Sequence, residues 1–274
     1  MKKTLLLLLT LGAIASGADT KEQLWSIDFT TLNRTSNGQA ITFGDYTFEV
    51  WDGTLSSAGI TSNYTPATTT TNEAGESVSV PAQIDRVHIV GDTGVTWGDN
   101  FAVEVVFTLP DGYDKAGNWP AIFNMYGNGN NDNLRFGPYV GASSYGIDGV
   151  NSTALVKPDT PDWTAVTLTT GEEHTALLSV YEGAVTLTID GAVAAKATLT
   201  ESDGETTYYG KDIPIDNMLI GGHVGDGNGP VASSAWNMDV TVSSLTMYKL
   251  VPEPTTATLS LLALAGLAAR RRRK

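Results

Sequence analysis

Three carboxylates at alternate positions, Glu201-Ser202-Asp203-Gly204-Glu205, come nearest in this chain to a catalytic set. On an extended strand the period of two would point all three to one face, where one could act as nucleophile and another as acid/base in glycoside hydrolysis. The slots between them hold Ser202 and Gly204, and residues 200–208 read as a polar turn, so catalysis is not expected of the trio. Gly141-Ala-Ser-Ser-Tyr-Gly146 misses the Gly-x-Ser-x-Gly nucleophile elbow by one position. The chain has no cysteine, which excludes thiol nucleophiles, thiolate metal sites and disulfides. His88, His174 and His223 are far apart in sequence, and capping or core-edge roles fit them better than metal or acid/base roles.

Two Asn/Gly-rich segments, Gly225-Asp-Gly-Asn-Gly229 and Asn128-Gly-Asn-Asn-Asp-Asn133, cluster oxygen ligands on flexible backbone, the chemistry a hard cation favours. Asp132, Asp226 and Asn228 are the candidate calcium ligands. Neither segment is an EF-hand loop, since the twelfth position counted from Asp226 is Asn237 and not a bidentate Glu. The same segments are also ordinary turn chemistry. Around them stand aromatic residues of the kind a glycan site uses, because the apolar face of a sugar ring stacks on an indole or phenol while amides bond its hydroxyls. The candidate ligand-binding residues are Trp119, Tyr126, Asn128, Asn130, Tyr139, Tyr145 and Trp236, although for any single one of the five aromatics a core or hydrophobic-rim role is the stronger reading. Trp25, Trp51 and Trp97 sit in or beside strand patterns and read as structural.

Both ends carry targeting patterns. Lys2 and Lys3 precede an apolar run from Leu5 to Ile14 and the small residues Ala15, Ser16, Gly17 and Ala18, the layout of a secretory signal peptide with cleavage after Ala18 or, second, after Ala15. At the other end, Pro252-Glu253-Pro254 is followed by an apolar stretch from Thr255 to Ala269 and then by Arg270, Arg271, Arg272, Arg273 and Lys274. At about 1.5 Å per residue that stretch makes a helix of about 22 Å, short of the roughly 30 Å hydrocarbon core, so a permanent span is marginal. The three parts in this order resemble the PEP-CTERM sorting signal of Gram-negative bacteria. The resemblance implies export, processing by an exosortase-type membrane protease at Pro252, Glu253 and Pro254, and a final place in the cell envelope, on the outer surface or in the extracellular matrix. Contact with a membrane would be limited to the transient C-terminal segment.

Lys2, Lys3 and the five terminal cations take 7 of the 16 Lys and Arg, leaving 16 − 7 = 9 in the body against nearly all of the 30 acids. A body near −20 repels phosphate backbones and anionic lipid surfaces, which excludes nucleic acid and head groups as main partners. Acidity also keeps an exported protein soluble.

What must position any site is a set of strands. From His174 to Tyr181, Ala176, Leu178 and Val180 alternate with Thr175, Leu177, Ser179 and Tyr181. Glu182-Gly183 is a turn, Val185, Leu187 and Ile189 form the next strand, and Asp190-Gly191 is a two-residue hairpin signal before Val193, Ala195, Ala197 and Leu199. Further runs fall at 24–29, 46–50, 87–90, 101–109, 121–126, 166–168, 218–220 and 239–250. Many short strands with no amphipathic helix predict an all-β, antiparallel sandwich of the jelly-roll kind, with residues 65–81 as a long surface loop.

The runs Phe101-Ala-Val-Glu-Val-Val-Phe-Thr-Leu109, Ala121-Ile-Phe123, the His174 strand with its Asp190-Gly191 hairpin, Leu219-Ile-Gly-Gly222 and Met238-Asp-Val-Thr-Val-Ser-Ser-Leu-Thr-Met-Tyr248 resemble, in order, the strands of a laminin-G-like domain of the concanavalin A-like lectin/glucanase superfamily. The resemblance covers roughly residues 86–250, with 24–51 as a first pair of strands. It implies a curved sheet whose concave face or rim loops bind glycans or proteins, in some members with calcium. Glucanases of that superfamily place apolar residues between their Glu-x-Asp-x-Glu acids, which Ser202 and Gly204 do not match. The expected organisation is a signal peptide (1–18), a sandwich domain (19–250) and a sorting signal (251–274). The expected function is a binding module for carbohydrate or another extracellular polymer that is not an enzyme. A structural or adhesive surface protein without a small ligand is the second reading, and a glycoside hydrolase the third.

Overall fold

The structure is a computed structural model. It describes residues 20–65, 68–80, 83–113, 121–127, 133–138, 145–148, 155–156, 166–199, 212–222 and 238–251. The strands are β1 (Thr20–Asp28), β2 (Gln39–Phe43), β3 (Tyr46–Trp51), β4 (Thr54–Ser56), β5 (Gly59–Thr65), β6 (Thr68–Thr71), β7 (Ser77–Val80), β8 (Gln83–Asp85), β9 (Val87–Val90) and β10 (Phe101–Thr108). They continue as β11 (Phe123–Gly127), β12 (Asn133–Pro138), β13 (Tyr145–Asp148), β14 (Leu155–Val156), β15 (Glu173–Tyr181), β16 (Ala184–Ile189), β17 (Ala192–Leu199), β18 (Ile215–Ile220) and β19 (Val240–Val251). The described residues contain no helix, and so none long and apolar enough to cross a membrane.

The chain divides into two compact units, Glu22–Lys249 and a unit made of the two ends, Met1–Lys21 with Leu250–Lys274. In the second, Thr20 Oγ1 donates to the carbonyl of Val251 at 3.2 Å. The first unit is an antiparallel β-sandwich of jelly-roll type. One sheet runs β14-β17-β16-β15-β10-β19-β5-β4, with β1 also on β19 and β8 also on β5; the other runs β13-β12-β11-β18-β9-β3-β2. Alternation dictates which faces meet. Phe101, Val103, Val105, Phe107, Ala176, Leu178, Val180, Val185, Leu187 and Ile189 point inward from the larger sheet, and Phe48, Val50, Val87, Ile89, Phe123, Met125, Leu134, Phe136, Met218 and Ile220 from the smaller, forming one buried core. The ring of Phe107 meets that of Phe136 across the gap at 6.5 Å, and Trp25 meets Phe48 edge-on at 4.8 Å. Each such fully buried side chain contributes roughly 1.5–3 kcal/mol.

The meander of β15, β16 and β17 matches its sequence pattern, and both connections are two-residue turns with positive φ at each central residue: Glu182 (48°) and Gly183 (78°), then Asp190 (51°) and Gly191 (79°). That is the type I′ geometry whose twist suits a hairpin. The expected face of β17 shifts at a bulge: Leu187 pairs with Ala195 but Thr188 with Val193, so Ala194 joins Ala195 in the core where alternation alone placed Val193. Two expectations are corrected. Residues 166–168 form no strand; Leu168 fills the core and the neighbouring Thr169 carbonyl takes a histidine in place of a ladder partner. The stretch expected as a loop at 65–81 contains the β6–β7 hairpin, closed by Asn72, whose Oδ1 accepts from the N–H groups of Ala74 and Glu76.

Candidate functional site on the outer face of the seven-stranded sheet

Period two gives the smaller sheet a second face, and that face is polar where the first is apolar. Along one line of register Arg135 on β12 lies opposite Asn124 on β11, Asn124 opposite Leu219 on β18, Leu219 opposite His88 on β9, and His88 opposite Trp51 on β3. The adjacent line runs Asn133, Tyr126, Asn217, Val90 and Glu49 over the same strands. Polarity here is not a solvated surface. Asn124 is 0% exposed, Asn133, Arg135, Tyr126 and Leu219 are buried, and Tyr126 and Leu219 make their own small apolar cluster apart from the main core. Among the described residues, neither Oδ1 nor Nδ2 of Asn124 has a hydrogen-bond partner. A buried amide left without partners costs roughly 1–3 kcal/mol.

Beside Asn124 the polar groups are joined. His88 Nε2 lies 2.9 Å from Oδ1 of Asn217 and 3.0 Å from the hydroxyl of Tyr126, and the imidazole and phenol rings stack at 6.2 Å. Asn217 Nδ2 donates to Oδ1 of Asp216. The register slips between Tyr126 and Gly127, which face Asn217 and Ile215, and the residue left over is Asp216. A bulge of this kind re-aims a side chain, and here the Asp216 carboxylate acts on Tyr126. Burial first, then that carboxylate, push the phenol up to about 12, with the guanidinium of Arg86 pulling the other way. Arg86 is itself lowered by burial, against the charges of Tyr126 and Asp52.

The far end of the face is an aromatic platform. Trp51 is 40% exposed and its Nε1 donates to Oε2 of Glu49 at 3.2 Å. The indole covers the backbone of Gly38, where a Cβ would clash with the six-membered ring, and Gly38 has φ +70°. Arg34 fixes the strand end beneath it: Nη1 donates to the carbonyls of Val50 at 3.1 Å and Asp52 at 2.6 Å, and Nη2 to that of Gly53 at 2.8 Å. Asn37 Nδ2 closes the turn on Oδ1 of Asp52 at 2.7 Å.

Of the residues singled out in the sequence, Tyr126 falls in this face, and Tyr145 lies on β13 opposite Pro138. Trp119, Asn128, Asn130, Asp132, Tyr139, Asp226, Asn228 and Trp236 lie outside the described residues, as do Glu201, Asp203, Glu205 and the Pro252-Glu253-Pro254 motif. Trp25 and Trp97 are core residues as expected, whereas Trp51, read as structural, is the exposed indole. His174 takes the core-edge role expected of it, between Asp190 and Thr169. His88 does not: it belongs to a side-chain network on the outer face. Asn124, Asn217, Asp216 and Arg135 gave no signal as single residues. Only register and the bulge bring them to one face. Among the described residues no group of three or more His, Cys, Asp or Glu could hold a metal ion.

The class of protein this defines is an all-β antiparallel sandwich with a polar, partly buried outer sheet face. No family model matches the chain, and no curated protein matches it. Solved structures do. Domain 4 of AbnA, a GH43 extracellular arabinanase from Geobacillus stearothermophilus, in complex with arabinotriose, is similar at 12% identity and TM-score 0.41, covering 87% of this chain and 97% of that one. The Crh5 transglycosylase is similar at 17% identity and TM-score 0.43, covering 86% and 90%. The endo-β-1,3-glucanase from Pyrococcus furiosus is similar at 15% identity and TM-score 0.41, covering 85% and 95%. At these identities the likeness is one of fold. The expectation that the chain is not an enzyme is nonetheless withdrawn, because a transglycosylase and a glucanase are among the sandwiches it is similar to.

Proposed function

We propose that the protein is an exported, envelope-sorted, carbohydrate-active sandwich that takes a glycan across the outer face of its seven-stranded sheet. The observation that supports this is the joined polar network of that face, Asn217, His88 and Tyr126, lying beside the exposed indole of Trp51, with the buried amide of Asn124 unpaired among the described residues. An aromatic platform for a sugar's apolar face and convergent amides for its hydroxyls are the two things such a ligand needs. Glycoside-hydrolase chemistry is the second reading, favoured by the carboxylates of Glu49 and Asp216 on the same face, since hydrolysis of a glycosidic bond takes a pair of acids.

The test is a glycan-array screen of the purified protein with calcium and with a chelator, followed by incubation of any bound glycan and assay for new reducing ends. Binding that Trp51→Ala abolishes supports the site. New reducing ends that disappear in Asp216→Asn or Glu49→Gln select the hydrolase reading. A blank array in both conditions overturns the proposal in favour of a structural or adhesive surface protein.

The sorting half rests on the order of the C-terminal parts, Pro-Glu-Pro, apolar stretch and basic block. An exosortase-type protease is the partner proposed, in the envelope of a Gram-negative bacterium. Substituting Pro252, Glu253 and Pro254 together with alanine should leave an unprocessed, heavier species in the membrane fraction. Normal processing of that variant overturns the assignment.

A further inference from the structure

Three side chains of the outer face share one set of protons, and only one arrangement of them is consistent. Asn217 donates through Nδ2 to Oδ1 of Asp216, which accepts there. That bond settles which way the amide is turned, so the atom facing His88 Nε2 at 2.9 Å is Oδ1, a second group that cannot donate. Nε2 therefore carries a hydrogen, in the neutral ring as in the charged one. A bare Nε2 accepting from Tyr126 would aim its lone pair at the lone pairs of Asn217 Oδ1. Turning the amide over would only move the repulsion to Asp216.

The consequence falls on Tyr126. Its oxygen lies 3.0 Å from the same Nε2 and meets an N–H there, so it can accept at that point but not donate. The phenolic hydrogen has two in-plane positions, and the one toward His88 is closed. The phenol also keeps its hydrogen, being pushed up to about 12 by burial and by Asp216.

We infer that Asp216 and Asn217 are positioning residues that lock His88 as an Nε2–H donor, and that Tyr126 in consequence meets the ligand as a hydrogen-bond donor to an acceptor oxygen of a neutral glycan. The inference rests on the reading that the outer face takes carbohydrate. The neutral class follows from charge: a body near −20 repels a polyanion.

Two readouts test it on the purified protein. Nitrogen NMR of isotope-labelled protein reads the His88 tautomer without any ligand. The hydrogen should be on Nε2 in the neutral ring, and Asn217→Ala should move part of the population to Nδ1. Affinity electrophoresis in gels containing laminarin, a neutral glucan, or alginate, a polyuronate, reads the ligand. Retention by laminarin should exceed that by alginate, and Tyr126→Phe should weaken it about 10-fold at unchanged melting temperature. A wild-type ring protonated at Nδ1 overturns the inference whatever binds. Tyr126→Phe binding as tightly as wild type overturns the donor role, and preference for alginate overturns the neutral class. If the wild-type protein is retained by neither gel, the ligand half falls with the carbohydrate reading, and the positioning half is decided by the NMR alone.

Discussion

His174 and Asp190 form a buried-to-surface pair between β15 and the β16–β17 turn: Nδ1 lies 2.7 Å from Oδ2 of Asp190, while Nε2 on the other side of the ring lies 2.8 Å from the carbonyl of Thr169. Oδ1 of the same carboxylate accepts from the backbone N–H of Thr175 at 2.9 Å. Both ring nitrogens face acceptors, a situation that only the doubly protonated ring satisfies.

The pair makes stability depend on pH. Burial beside Phe107 pushes His174 down, but the Thr169 carbonyl, the Asp190 carboxylate and the charge of Glu172 outweigh it, and the net shift is upward from 6.5. A folded pKa above the unfolded one means the contribution is complete below 6.5 and is lost as pH rises through the folded value. The melting temperature should therefore decline as pH rises above that point, and Asp190→Asn should flatten this part of the profile. An unchanged slope in the variant would sink the assignment.

Two glycines separate backbone strain from steric clash. Gly191 has φ 79° with nothing near the position of a Cβ, so Gly191→Ala should cost about 1 kcal/mol from the left-handed backbone alone. Gly221 has φ 72°, and its Cβ would strike the side chain of Ser62, whose Oγ donates to the Met238 carbonyl at 2.8 Å. Gly221→Ala should cost about 3 kcal/mol, since Ser62 cannot move without losing its bonds to the Met238 carbonyl and to the Val240 N–H at the start of β19. Urea denaturation of both variants checks the ordering.

Why the fold was legible and the site was not follows from the same alternation. Apart from the buried Ala102, β10, β15 and β16 keep apolar residues on one face and polar or half-buried ones on the other, so Val103, Leu178 and Leu187 declare their direction in sequence. β11 and β12 are buried at every position, which erases alternation as a signal of exposure. An Asn or Arg inside such a short run reads as turn chemistry, and Asn124 and Arg135 become partners only through a register that sequence does not contain. Asp216 needs more still, because its direction comes from a bulge. Trp51 reads as one more strand aromatic, and its contact with Gly38 thirteen positions earlier, counting 51 − 38, carries no sequence signal.

Two tryptophans should respond oppositely to truncation. Trp25 is buried, donates through Nε1 to the Thr93 carbonyl at 2.9 Å and packs edge-on against Phe48, so Trp25→Ala should lose about 3–5 kcal/mol of stability. Trp51→Ala removes a ring lying over Gly38 with 40% of its surface in water, and should cost about 0.5 kcal/mol while abolishing glycan retention. Equal losses of stability in the two variants would mean that Trp51 is a packing residue and no platform.

Asn124 is the sharpest case, because stability and function should move in opposite directions. Its amide is wholly buried, lies opposite Arg135 on one side and Leu219 on the other, and has no hydrogen-bond partner among the described residues. Leucine has nearly the same length and no polar atoms, so Asn124→Leu removes the desolvation cost and should stabilise the fold by roughly 1–3 kcal/mol. If the amide is retained for a ligand, the same change deletes a donor and an acceptor at the centre of the site, and glycan retention should fall at least about 10-fold. Such a trade of function against stability is what a binding group placed at a cost to the fold produces. A variant that melts lower than wild type would instead make Asn124 a satisfied structural group, and the outer face would lose the residue that argues most strongly for a ligand.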